Sequence, residues 1–88
     1  MKEENLENKK GYDIAEIFNA IDDAIPLVDI IAELADLGYS EPGKIVVNAM
    51  QENILYVESI DYVDGSIAVY MALTVPGEKL WKSVHAPS

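Results

Sequence analysis

The stretch GYSEPGKIV, residues 38–46, holds Gly38, Gly43 and Lys44 at the G-x-x-x-x-G-K spacing of a phosphate-gripping loop. That chemistry needs a buried strand before the loop and a Ser or Thr after the lysine to hold magnesium. Here Ile45 stands where the hydroxyl belongs, and Glu41 puts a negative charge where phosphate would lie. The preceding segment has the spacing of an amphipathic helix, and 88 residues are too few for a nucleotide-binding domain of that type. The stretch reads better as a joint between helices. Gly38 ends one of them, Ser40 or Glu41 caps the next, and Pro42 occupies a first turn where a missing N–H costs nothing.

Other chemistry finds no complete set of residues. There is no Cys, and the single histidine, His85, lies three residues from the end, so a nucleophile has no base to activate it. The segment DYVDGS, residues 61–66, lacks the ligand spacing of a calcium loop, and no Glu-x-x-His pair exists for a di-iron site. Carboxylates are numerous, but those at 22, 29, 33 and 36 are expected to face water, where nothing raises a pKa for general acid work. We therefore assign no catalytic, cofactor-binding or metal-binding residue, and expect a protein that is not an enzyme.

The carboxylates are unevenly placed. From Gly11 to Gly43 there are eight acids and no base, whereas residues 1–10 balance and residues 44–88 hold five acids against three lysines. Arginine is absent from the whole chain. Arg forms the two-pronged grip on phosphate that nucleic-acid binders use, so a net charge of −10 without Arg argues against direct nucleic-acid binding and against an anionic membrane surface. No run of apolar residues is long enough for a membrane span, and the polar start MKEENLENKK has no signal-peptide core. The expected compartment is the cytoplasm.

The elements that must carry these groups are read from periodicity. Ile14, Ile17, Phe18, Ile21 and Ile25 recur at three- and four-residue steps, as do Leu27, Ile30, Ile31, Leu34 and Ala35 after a change of phase at Pro26. This predicts helices over about 12–25 and 27–37. Ile45, Val46, Ala49, Met50, Ile54, Val57 and Ile60 fall on one side at helical spacing, which predicts a third helix over 42–63. Residues 66–75 suit a short helix, with a strand after an Asp64-Gly65 hairpin turn as the alternative. The expected fold is all-α: a small antiparallel helical bundle over residues 12–75. A flexible polar leader over 1–11 precedes it, and a tail over 76–88 packs on or near the core. Half the residues are apolar on a chain whose core must be small, so a homodimer is expected to bury the surplus.

Two partner surfaces follow. Asp22, Asp29, Glu33 and Asp36 share a helical arc away from the apolar side, an uncompensated acidic rail fit for a partner protein with a basic surface. An inhibitor of that kind occludes the groove where nucleic acid binds, as a nucleic-acid mimic. Small acidic phage and mobile-element proteins, anti-CRISPR proteins among them, act in this way, though no motif here ties the chain to any such family. The competing reading is that the acids serve solubility alone. In the second surface, Met50, Ile54, Val57 and Ile60 form an apolar face through which a dimeric adaptor, antitoxin or chaperone-type subunit binds its partner.

Overall fold

The structure is a computed structural model that describes residues 2–85, with side chains from Lys10 onward. Helix α1 spans Lys2–Ile17, strand β1 Ala24–Pro26, helix α2 Leu27–Asp36 and helix α3 Pro42–Gln51; strands β2 (Leu55–Val63) and β3 (Ser66–Leu73) and helix α4 (Val75–His85) follow. The strands form one antiparallel sheet in the order β1-β3-β2. Met1 of the expected leader and residues 86–88 of the expected tail lie outside the described residues. The rest of the leader stretch forms the first turns of α1, and the tail stretch is mostly α4, which packs along α1.

The all-α bundle is therefore corrected to a mixed α/β fold. The helix expected over 12–25 ends at Ile17. A turn follows, tied by the Ala20 N–H donating to the Asp23 carboxylate at 3.1 Å, and residues 24–26 pair with Tyr70–Ala72 as a strand. Pro26 is tolerated because β1 is an edge strand, and its fixed φ of −57° leads straight into α2. The change of phase at Pro26 thus marks a strand-to-helix junction.

The helix expected over 42–63 ends at Gln51. Asn53 adopts a left-handed φ of 63°. The Asn53 N–H donates to the Met50 carbonyl, and the Ile54 N–H reaches back to the Ala49 carbonyl at 2.8 Å. This is a Schellman stop with asparagine in place of glycine. Gly38, at φ 103°, closes α2 in the same way, with Tyr39 N–H on the Leu34 carbonyl. Beyond Asn53 the β-branched and aromatic residues 55–63 form β2. Asp64 and Gly65, both at positive φ, make the tight turn into β3 that matches strand twist. Residues 66–73 are thus the strand, not the short helix.

The core lies where α1, α2 and α3 meet the inner face of the sheet. Ile14, Phe18, Ile30, Leu34, Leu55 and Met71 are its fully buried large side chains. α4 is joined to it by a capped start. Thr74 Oγ1 accepts the Gly77 N–H at 3.1 Å and itself donates to the Asn53 carbonyl. Trp81 packs on the core, and its indole N–H donates to the Phe18 carbonyl at 2.9 Å, holding α4 against the end of α1.

Candidate interaction surface

The register of the hairpin explains why its apolar residues share one face. Leu55 pairs with Leu73 and Val57 with Met71. Glu58 then forms a bulge, after which Ile60 pairs with Val69 and Tyr62 with Ile67. The extra residue restores the phase, so 55, 57, 60 and 62 all point to the side of the sheet that carries the core. Leu55, Leu73 and Met71 are buried there, but the helices cover only this inner end. Further out the same apolar stripe is open: Val57 and Ile60 are exposed, Ile67 is 63% exposed and Tyr62 is 78% exposed.

α3 extends this stripe. Its inner residues Ile45, Val46 and Ala49 are core, whereas Val47 and Met50 are exposed on the flank towards the hairpin. A groove of about 230 Å³ runs between α2, α3 and the sheet, and Leu27, Ile31, Val46, Met50, Val57 and Val69 are among the apolar side chains that line it. Of the four apolar residues singled out from sequence, Met50, Val57 and Ile60 meet on this open surface. Ile54 does not: at 9% exposure it belongs to the core. Val47, Tyr62 and Ile67 belong to the surface and were missed. For Tyr62 the signal was a period of two on either side of one bulged residue, and for Ile67 the alternation along 67–73; Val47 lies on α3 and had no such signal.

The acidic residues are distributed differently from the single rail. Asp22 lies in the turn between α1 and β1, apart from the helix. Asp29, Glu33 and Asp36 are exposed on α2, where steps of four and three residues put them on one face opposite Ile30 and Leu34. Asp29 and Glu33 also border an open basin with Asn19 and Asp23. Among the described residues no group of three or more His, Cys, Asp or Glu is placed to hold a metal ion. No described helix is long and apolar enough to cross a membrane.

α2, the five-residue joint and α3 form a helix-turn-helix, and the β2–β3 hairpin follows it as a wing. In DNA-binding proteins with a helix-turn-helix the second helix enters the major groove and neighbouring parts hold phosphates. Here the groups on that side have another character. α3 offers Lys44, which pairs with Glu41 at 3.6 Å, and otherwise Val47, Asn48, Met50 and Gln51. The wing carries Glu58, Asp61 and Asp64, and no base occurs between Ile45 and Leu73. Such a surface repels phosphate and presents apolar contacts.

The joint itself is fixed by one polar contact. The Tyr39 hydroxyl donates to the Asp13 carboxylate at 2.5 Å, linking it to α1. Burial, and then the hydrogen bond and charge of Asp13, push the Tyr39 phenol up to about 12. The GYSEPGKIV stretch therefore performs a structural task. No family model, curated protein or solved structure matches the chain.

Proposed function

We propose that this protein is a non-enzymatic cytoplasmic interaction domain that recognises another protein through the open apolar face formed by α3 and the hairpin. The observation that carries this reading is the continuity of one stripe: Met50, Val57, Ile60, Tyr62 and Ile67 extend the buried core outward and stay exposed among the described residues. An apolar patch of this kind on a small protein marks a contact site. The acids around it disfavour nucleic acid as the partner despite the helix-turn-helix layout, because fold alone does not set function.

A second reading keeps the inhibitor function expected from sequence. Asp29, Glu33 and Asp36 form an exposed acidic face on α2, which suits a basic groove of a partner and its occlusion. Charge complementarity of that type gives fast association and strong salt dependence.

Affinity capture from the native host, done in parallel with three proteins, separates the readings. Wild type, Ile60→Asp, and Asp29→Lys combined with Glu33→Lys and Asp36→Lys are compared for the same captured band. The apolar reading predicts loss with Ile60→Asp and retention with the triple lysine protein. Raising NaCl to 0.5 M, which shortens the Debye length to about 4 Å, should then leave the complex largely intact. The opposite pattern establishes the acidic reading and removes the first.

A further inference from the structure

β2 is the end strand of the sheet, so its outer edge carries backbone N–H and C=O groups that pair with no other strand among the described residues. Proteins usually blunt such an edge with a bulge or charge. Here the bulge at Glu58 interrupts one end, but pairing from Ser59↔Tyr70 to Val63↔Ser66 is regular, leaving an exposed edge of uninterrupted strand. Its side chains alternate. Ile60 and Tyr62 stand on the inner, apolar face, and Ser59, Asp61 and Val63 on the outer face.

We infer that this edge, over 59–63, accepts an extended segment of a partner protein whose residues alternate between apolar and basic. The inference rests on the apolar reading of the hairpin and adds how the partner is held. A strand laid along β2 takes main-chain hydrogen bonds from the edge. Its apolar residues continue the stripe beside Ile60 and Tyr62, and its basic residues fall on the outer face beside Asp61, with Glu58 and Asp64 at the two ends. The acids select the occupant. Glu58, Asp61 and Asp64 are exposed along the hairpin, and no base occurs between Ile45 and Leu73, so an incoming lysine or arginine meets carboxylates with no cation from that stretch beside them. A second copy of this chain is disfavoured in the register that centres the exposed edge 59–63 on its own copy. Two-fold pairing of β2 with itself centred on Asp61 sets that carboxylate opposite its own copy and Glu58 opposite Asp64, and like charges directly opposite destabilise a strand pair.

The test uses the full chain and a synthetic peptide of β2's length that alternates Lys and Val. The control has the same composition with the valines in one block. Two further peptides are N-methylated, one at the odd and one at the even backbone positions. Because alternate N–H groups of a strand point to opposite sides, one methylated peptide should lose about tenfold or more in affinity while the other binds nearly as the parent. The alternating peptide should protect the amides of residues 59–63 from hydrogen exchange, and Asp61→Lys should weaken it by about tenfold. The inference is overturned if both methylated peptides bind like the parent, if the block control binds equally well, or if protection falls on α2. It is also overturned if residues 59–63 become protected with rising protein concentration alone, which identifies a second copy as the occupant. Equal binding of all peptides with protection still confined to the hairpin removes edge pairing while leaving the apolar contact surface standing.

Discussion

Tyr39 shows how one residue sets the geometry of the joint. Its hydroxyl holds Asp13 across the gap between the helix-turn-helix and α1, and the folded state binds the phenolic proton more tightly than the unfolded chain does. The folded pKa is raised, so this contribution is fully present below the ordinary value near 10 and is lost as pH rises through about 12. Tyr39→Phe should cost about 1 kcal/mol at neutral pH and flatten the decline in stability between these two values, as measured by urea unfolding at stepped pH. Gly77 is a second residue with one permitted identity. A Cβ there would lie 2.3 Å from the Ile54 carbonyl oxygen, with Leu73 at 3.1 Å. Alanine normally gains about 1 kcal/mol over glycine within a helix. At 77 the backbone contact reverses the sign, and Gly77→Ala should lose about 2 kcal/mol, seen as a fall in Tm of roughly 8–16 °C.

At the scale of elements, the hairpin was the hardest part to read. Four apolar residues run together at Ile54–Val57, and the bulge at Glu58 turns a step of two into a step of three. Together they imitate the spacing of an amphipathic helix. The clues against a helix were the β-branched and aromatic residues from Leu55 to Val63 and the Asp64-Gly65 turn. The stop at Asn53 was less visible, because asparagine reaches positive φ less often than glycine. α2 was legible almost to the residue, since its apolar period, Pro26 and Gly38 all agree. Two isoleucines, one just before β2 and one within it, give a direct contrast. Ile54→Asp buries a charge in the core and should unfold the protein in thermal scans, whereas Ile60→Asp should change stability by no more than about 0.5 kcal/mol.

For the whole molecule, charge and shape point in different directions. A helix-turn-helix with a wing has the outline of a DNA-binding domain, yet the chain carries −10 and no arginine. Phosphate contacts supply most of non-specific DNA affinity, and they come from lysine and arginine. Titration of a labelled random duplex at low salt, where such contacts are strongest, should show no binding by fluorescence anisotropy up to about 0.1 mM protein. Binding in that range would overturn the assignment of this face to protein recognition. The same charge makes self-association sensitive to salt. If the apolar stripe does join two copies, the dimer expected from composition should strengthen as salt screens their repulsion, a trend that sedimentation velocity reads directly.

Composition by itself determined the sign of the net charge, the absence of arginine and cysteine, and a surplus of apolar side chains for so small a core. These are sums over the chain and need no neighbour to define them. Which apolar residues stay uncovered was decided by the tertiary structure. Ile54 and Ile60 look alike in sequence, but one faces α1 and α4 while the other stands past the last helix that could shield it. Burial depends on which distant segments pack together, and that depended here on a left-handed asparagine, one bulged glutamate and a two-residue turn.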